Sequence, residues 1–216
     1  MAVYLKKFET QAAYEAAQSS LILPNVSLIT DNNTMRYNPT PTYESVDLGL
    51  SSGTLWAKYN IGATSETEYG NYYQYGKGVA QYAATSGNSD YSGTENPLAI
   101  SADTAAQVWG GQWHMPTSVQ CQELLDSTTK EWVTDFNGSG ISGTKFIAQN
   151  GNYIFIPASG GYNEGTLYYV GTYGAIWAST PKENNRAYFL YCDYMRNNIV
   201  DNQTYNRGIQ VRAVIG

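Results

Sequence analysis

The amino-acid sequence predicts an α+β domain in which two short helices pack on a small, mainly antiparallel sheet joined by long loops. Short apolar or alternating runs, which are typical of strands, recur throughout the second half of the chain. Only two segments of the main domain carry helix-capping signals, and they do not alternate with strands as βαβ units would. The chain has 21 Gly and only 7 Pro, a balance that favours tight turns over disorder.

The first 42 residues are predicted to form a separate helix-strand module. Residues 8–19 have the spacing of a short helix, and residues 22–29 follow as an extended segment. Residues 38–42 (Asn-Pro-Thr-Pro-Thr) predict a stiff linker, because each proline also holds its predecessor in extended geometry. A module of this size cannot bury a core alone, so we expect residues 1–42 to serve attachment or oligomerisation.

The main domain, residues 43–216, is expected to open with a hairpin anchored by Trp56. Two strand-like runs flank a turn at Ser51-Ser-Gly. The tyrosine-rich residues 69–76 predict an aromatic loop or strand. Residues 76–96 lack periodicity and are rich in Gly, Ser and Tyr, which indicates a surface loop.

Two helices are predicted next along the chain. Ser101 is the expected cap of a helix over residues 102–109, with Asp103 favourably placed near its positive end. Thr117 and Gln120 have the spacing of a capping box and introduce a second helix, which runs to residue 127. The side chains expected to point inward from this second helix are Val119, Cys121 and Leu124.

Antiparallel strands are predicted to follow the second helix. The turn signal Asn150-Gly between two apolar runs is the strongest hairpin pattern in the chain. In residues 187–194, alternation leaves neither face cleanly polar, so at least one face should be covered or should be a ligand-facing surface. Further strands are expected over residues 175–180, 187–193 and 209–215.

Composition and charge exclude several classes of protein. The net charge of −6 argues against a nucleic-acid partner, which would require a basic stripe. Charged residues make up 14% of the chain against a usual share of about 25%, a composition typical of extracellular β-rich binding proteins. No run approaches the roughly 20 apolar residues of a membrane span, and no signal-peptide pattern opens the chain, so no membrane partner is expected.

Residues that could carry catalysis or bind a metal are sparse. His114 is the single histidine and precedes a helix cap, where a structural hydrogen bond is the expected role. No Cys/His cluster has zinc spacing, and Asp90 and Glu95 are isolated carboxylates in a polar loop. Cys121 and Cys192 are expected to be small buried residues, although a bridge between them stays open. We therefore expect no catalytic residue, no metal site and no cofactor.

The most informative stretch lies between Trp177 and Arg207, where Asn, Tyr, Arg and Asp are crowded together. Tyrosine offers stiff, amphipathic contact area, asparagine adaptable hydrogen bonding, and arginine a planar donor fork. This mixture is typical of a binding surface, and Phe189, Ile209 and Val211 are expected to be its scaffold. The predicted ligand-binding residues are Tyr173, Ala175, Asn184, Asn185, Tyr188, Asp193, Tyr194, Arg196, Asn197, Asn198, Tyr205 and Asn206.

Ten short motifs occur in order along the main domain. They are Val46-Asp-Leu-Gly-Leu-Ser-Ser-Gly-Thr-Leu-Trp-Ala, Asn60-Ile-Gly-Ala, Tyr69-Gly-Asn-Tyr-Tyr-Gln-Tyr-Gly, Trp113-His-Met-Pro-Thr, Glu123-Leu-Leu, Asn150-Gly-Asn, Ile156-Pro-Ala-Ser-Gly, Trp177-Ala-Ser-Thr, Ala187-Tyr-Phe-Leu-Tyr and Val211-Arg-Ala-Val. Together they resemble the Fibrobacter succinogenes major paralogous domain of Bacteroidales surface proteins and their phages, over about residues 44–216. That family is similar to the C-type lectin fold in its formylglycine-generating-enzyme branch, so the resemblance implies a C-type lectin-like fold.

Members with a Tyr- and Asn-rich repeat before a closing Val-Arg-x-Val resemble target proteins of diversity-generating retroelements. In those proteins template adenines are copied unfaithfully, so Asn codons scatter into Tyr, Asp, Arg and Ser codons on a constant scaffold. The resemblance implies a variable region over about residues 168–207 in a phage tail-associated, receptor- or ligand-binding adhesin of Bacteroides type. It implies a place on a virion or bacterial cell surface, as a homo-oligomer (a trimer by analogy with tail fibres) that binds a bacterial surface protein or glycan.

Two alternatives to the adhesin remain open from the sequence. One is a degenerate relative of the formylglycine-generating enzymes, and the other is a structural tail subunit without a ligand. Cys121 and Cys192 do not match the redox cysteines of that enzyme branch, so its activity is not implied. The Glu-Pro-Asn and Trp-Asn-Asp motifs of calcium-dependent lectins are also absent, so calcium-mediated sugar binding is not implied either.

Overall fold

The structure is a computed structural model that describes residues 26–31, 34–39, 43–80, 91, 93 and 95–216. The chain divides into two compact units, residues 1–42 and 43–216, at the place where the linker was predicted to end. In the first unit, β1 (Val26–Asp31) pairs antiparallel with β2 (Thr34–Pro39). Strand β2 includes the first two residues of the predicted linker, whereas the helix predicted over residues 8–19 lies outside the described residues.

The main unit is closed by a three-stranded sheet that joins its two ends. Strands β3 (Ser45–Asp47) and β4 (Leu55–Ala57) form the predicted first hairpin, and β4 pairs on its other side with β13 (Val214–Ile215). Trp56 lies at the centre of this sheet and is fully buried, which confirms its role as an anchor.

Two helices of the main unit lie within the described residues. Helix α1 (Thr104–Val108) is capped by Asp103, which accepts a hydrogen bond from the Ala106 amide at 3.0 Å. The prediction of Ser101 as the cap is wrong, because residues 99–102 form a turn and the Asp103 carboxylate also accepts from the Met115 amide at 2.8 Å. Neither helix of the described part approaches the length and apolarity needed to cross a membrane.

Helix α2 (Ser118–Ser127) begins with the predicted capping box. Thr117 accepts from the Gln120 amide, and the Gln120 side chain accepts from the Thr117 amide. Cys121 and Leu124 are buried as predicted, but Val119 is 75% exposed. The prediction for Val119 is wrong because two residues correspond to about 200° around a helix, which turns Val119 away from Cys121.

Antiparallel strands follow α2, as predicted. Strands β5 (Thr128–Val133), β6 (Gly143–Ala148) and β7 (Tyr153–Pro157) form a meander, and the Asn150-Gly151 turn joins β6 to β7. A two-stranded hairpin of β8 (Gly161–Asn163) and β9 (Thr166–Tyr168) comes next. The observed class is α+β with much loop, which agrees with the sequence-based prediction.

The last of the three-stranded sheets, called the third sheet below, has the order β10 (Tyr173–Lys182), β11 (Arg186–Asp193) and β12 (Asn197–Thr204). One face of β11 contributes Phe189 to a first core cluster around Trp177. Its other face contributes Leu190 to a second core cluster around Trp56. Both faces of β11 are therefore covered, and this strand lies between the two core clusters.

The prediction of a strand over residues 209–215 is mostly wrong, because only isolated bridges and the two-residue strand β13 form there. Arg212 is fully buried in this segment. It donates to the Asn60 side chain at 2.8 Å and, among other backbone oxygens, to that of Phe155 at 2.7 Å. Burial lowers the pKa of Arg212 to about 9, so the side chain is still a cation at neutral pH.

Glu123 of α2 binds the turn between β3 and β4. Its carboxylate accepts from the Ser51 hydroxyl at 2.8 Å and from the Ser52 amide at 2.9 Å. Burial raises the pKa of Glu123, but the hydrogen bonds from Ser52 and Ser51 outweigh burial, and the net pKa lies below the ordinary 4.5. Because its folded pKa is lowered, the carboxylate stabilises the fold above about pH 4.5, and this contribution is lost as the pH falls through the folded pKa.

Glu123→Gln is therefore expected to lower the free energy of unfolding by about 1 kcal/mol near neutral pH, because charge-assisted hydrogen bonds become neutral ones. The deficit should shrink as the solution is acidified, and urea unfolding at a series of pH values measures it. Glu131→Gln, at an exposed position of β5, is the control and should change stability by no more than about 0.5 kcal/mol. A Glu123→Gln deficit that stays constant down to acid pH would contradict the assignment.

Candidate functional site

Four tyrosines form a continuous row where β9 ends, β10 begins and β11 ends. The row consists of Tyr168, Tyr169, Tyr173 and Tyr191, with successive ring centroids 6.1, 6.0 and 5.1 Å apart. Tyr173 and Tyr191 stack at 24° because antiparallel pairing of β10 and β11 places them diagonally on one face. Tyr169 is 66% exposed, so the row runs from the edge of the first core cluster out to solvent.

The loop that carries the outer part of the tyrosine row is closely packed. Gly160 has a φ of 62°, and a Cβ at this position would lie 2.0 Å from the Tyr168 backbone oxygen. Only glycine therefore permits this approach of the two segments. The Gly160 amide donates to the Tyr173 backbone oxygen, and the Thr172 amide to that of Tyr169, both within 3.0 Å.

The turn between β11 and β12 is organised by Asp193. One carboxylate oxygen accepts from the Met195 and Arg196 amides at 2.8 Å each, and the other accepts from Arg196 Nε at 3.2 Å. Burial raises the pKa of Asp193, but the Met195 and Arg196 amides outweigh burial, so the net pKa is lowered and the group is ionised. The turn thereby presents Tyr194 and Met195, which are 69% and 75% exposed.

One arginine contacts the tyrosine row. The Arg196 guanidinium carbon lies 5.2 Å from the Tyr191 ring centroid, within the range of a cation–π contact. Burial and the neighbouring Tyr191 raise the pKa of Tyr173, whereas the positive charge of half-buried Arg207 opposes this shift. Arg196 is therefore the cation that contacts the tyrosine row, and Arg207 acts on Tyr173 only through its charge.

The structure divides the predicted binding residues between the two ends of the third sheet. The turn of Asn184 and Asn185 joins β10 to β11, and the Asn185 backbone oxygen accepts from the Tyr205 amide at 3.0 Å. Strand β11 has 8 residues, so the turn at Tyr194 lies roughly 25 Å away at the other end. The first end holds Asn184, Asn185, Tyr205 and Asn206, and the second holds Tyr173, Ala175, Asp193, Tyr194, Arg196, Asn197 and Asn198.

Three predicted binding residues are not on the surface. Ala175 is 1% exposed because it faces the first core cluster opposite Tyr191. Asp193 is buried because its carboxylate binds the backbone of the β11–β12 turn. Tyr205 is 3% exposed because its ring stacks on Tyr75 at 4.6 Å. Surface positions for these three residues were thus a wrong prediction.

The remaining predicted residues differ in exposure and setting. Asn184, Asn185, Arg196 and Asn198 are exposed, whereas Asn197 and Asn206 are half-buried. Tyr188 lies on the opposite face of β11 from the tyrosine row. There it lines, with Val119 and Ile199, a shallow cavity of about 580 Å³ beside α2.

Tyr168, Tyr169, Tyr191 and Met195 also belong to this surface, and they were not predicted from the sequence as binding residues. A signal for the first two is present, since a pair of adjacent aromatic residues between two glycines in a turn is difficult to bury. Tyr191 gave no such signal, because its position in the row depends on the pairing of β10 with β11.

The side chains that could support catalysis or metal binding occupy structural positions. The two ring nitrogens of His114 lie 3.0 Å from the Met115 and Gly216 backbone oxygens. Cys121 and Cys192 are free thiols in the second core cluster, and burial raises the pKa of both above the ordinary range. Among the described residues, no three His, Cys, Asp or Glu side chains are grouped as metal ligands.

Comparison with protein-family models, curated proteins and solved structures gave no match for this chain. The tyrosine row and the β11–β12 turn are therefore the features of this molecule that bear on its function.

Proposed function

We propose that this chain is a phage tail-associated, ligand-binding adhesin with a C-type lectin-like main domain, and that it binds through one aromatic surface. This surface, the recognition surface, consists of the tyrosine row, the adjoining Leu167 and Val170, and residues 194–196 of the β11–β12 turn. Of the ten large apolar side chains that are exposed among the described residues, six belong to the recognition surface. This concentration is the observation that carries the proposal, because soluble domains rarely leave contiguous apolar area uncovered without an interaction that uses it.

The residue types and their rigidity favour recognition of a macromolecule. Tyrosine, methionine and arginine are enriched at the centres of protein interfaces, and truncation of tyrosine or arginine there costs most. Asp193 fixes the β11–β12 turn, and Gly160 allows the loop after β9 to pack closely. Little ordering entropy is therefore lost on binding. Several copies, joined as a trimer through residues 1–42, would raise the avidity of a weak site by about 10²–10⁴.

We further propose that residues 168–207 are the variable region of a diversity-generating retroelement. The exposure of Asn184, Asn185, Tyr194 and Asn198 supports this, because substitutions there leave both core clusters intact. The encoding genome should carry a reverse transcriptase and an adenine-rich near-copy of the 3′ end of the gene. A genome that lacks both the reverse transcriptase and the near-copy would refute the diversification proposal and leave the adhesin proposal standing.

The binding proposal predicts the behaviour of a triple variant, Tyr169→Ala/Tyr194→Ala/Met195→Ala. Its binding to intact cells of the host bacterium is expected to fall at least about tenfold, because contacts worth about 1.4 kcal/mol or more are removed. Its stability should change little, because each side chain is mostly exposed. Flow cytometry with the labelled full chain measures binding, and calorimetry measures the melting temperature.

The matched control is Val79→Ala/Val108→Ala/Val119→Ala, which removes exposed apolar groups outside the recognition surface. This control should bind as the unsubstituted protein does. Equal binding by the two triple variants would show that the recognition surface does not contact the ligand.

A further inference from the structure

We infer that the ligand of the recognition surface is a protein segment that presents a carboxylate to Arg196, beside apolar side chains that cover the exposed rings. This inference rests on the proposed function and adds the chemistry of the ligand. It makes Arg196 a specificity-determining residue, with Asp193 as the residue that positions it.

The two members of the ion pair between Asp193 and Arg196 differ strongly in solvent exposure. The Asp193 side chain is only 9% exposed, and its oxygens already accept from two backbone amides and from Arg196 Nε. The Arg196 side chain is 67% exposed. An approaching partner therefore meets the guanidinium and not the carboxylate, and the outer edge of a guanidinium matches a carboxylate in a bidentate hydrogen bond.

The charges around the tyrosine row favour the same ligand. In the flanking segments 161–173 and 190–198, Arg196 is the one basic residue, and the acidic residues are Asp193, which is buried, and Glu164. Glu164 lies at the tip of the β8–β9 hairpin, at the opposite end from Tyr168. The exposed guanidinium of Arg196 is thus the charged group that a ligand meets beside the rings, whereas its partner carboxylate is buried, and the chain as a whole carries a net charge of −6.

The apolar groups around the rings favour a protein segment over a glycan. Tyr173 and Tyr191 stack on each other and Arg196 lies over Tyr191, so the exposed rings of Tyr169 and Tyr194 are the ones that a ligand can cover. Leu167, Val170 and Met195 add aliphatic and thioether groups, which complement the apolar side chains of a protein. A ligand that carries a carboxylate beside an apolar residue can bind Arg196 and cover Leu167, Val170 and Met195 at the same time.

The test uses a phage-displayed library of random 12-residue peptides, selected on the immobilised full chain. The selected peptides are expected to carry Asp or Glu next to an aromatic or aliphatic residue. For a synthetic peptide from the selection, replacement of the acid by its amide should weaken binding at least tenfold, as measured by calorimetry.

The same peptide pair is then measured on three variants. On Arg196→Gln the preference for the acid should fall below about twofold, and on Arg196→Lys it should be partly retained, because the charge remains without the planar fork. Arg186→Gln, an exposed arginine of β11 far from the turn, should leave the preference unchanged.

Several outcomes would overturn the inference: no selected peptides, selected peptides without an excess of acids, or an undiminished preference on Arg196→Gln. Binding of a uronic-acid oligosaccharide that depends on Arg196, with no acidic peptide selected, would replace the protein ligand by a glycan. In each of these cases the adhesin proposal survives if Tyr169→Ala/Tyr194→Ala/Met195→Ala still loses cell binding. If that variant binds cells normally, the proposed function itself is wrong.

Discussion

Arg212→Met is expected to lower the free energy of unfolding by at least about 3 kcal/mol, a large fraction of the roughly 5–15 kcal/mol that stabilises a typical domain. The buried guanidinium donates to the Asn60 side chain and to the backbone oxygens of Ala57, Lys58 and Phe155. Methionine fills part of the volume but donates nothing. The acceptors then lose this donor, at about 1–3 kcal/mol for each buried group left unsatisfied.

Urea unfolding followed by tryptophan fluorescence measures this effect. Arg212→Lys keeps the charge but replaces the planar fork by one ammonium group, so its stability should lie between those of wild type and Arg212→Met. Arg186→Met, at an exposed position, is the control and should change stability by no more than about 0.5 kcal/mol. If Arg212→Met unfolded at the wild-type midpoint, the buried guanidinium would make no net contribution to the fold.

The elements that could be predicted from the sequence depend on signals within a few residues. The capping box needs only Thr117 and Gln120 in register, and the β6–β7 hairpin needs only the Asn150-Gly151 turn between apolar runs. Capping and turn geometry are local, so tertiary packing reinforces them without altering them. The α+β class follows from the same local patterns.

The elements that could not be predicted depend on partners far along the chain. Asp103 replaces Ser101 as a helix cap because it also binds Met115, which lies beyond the helix. Arg212 is buried against acceptors more than fifty residues away, which no local pattern around it indicates. Residue type alone identifies versatile side chains in the C-terminal segment, but the position of β11 between two core clusters determines which of them reach solvent.

Tyr205 and Tyr194 show this distinction in measurable form. Tyr205→Ala is expected to cost about 3–5 kcal/mol, because it removes a buried ring that stacks on Tyr75 and contacts Tyr91 edge-on at 5.5 Å. For a domain of this size the melting temperature should fall by on the order of 10 °C. Tyr194→Ala removes an exposed ring and should change stability by no more than about 0.5 kcal/mol.

Binding should respond in the opposite order. At a temperature where both variants are folded, Tyr194→Ala is expected to weaken binding to host cells, whereas Tyr205→Ala should bind with nearly unchanged affinity, since its ring is buried against Tyr75 in the first core cluster and does not reach the surface. Tyr205→Phe keeps the stacked ring and serves as the control for the hydroxyl group, with an expected cost below about 1 kcal/mol. A stable, non-binding Tyr205→Ala variant would place this tyrosine in the binding surface and not in the core, and calorimetry with cell binding on the same samples decides between the two.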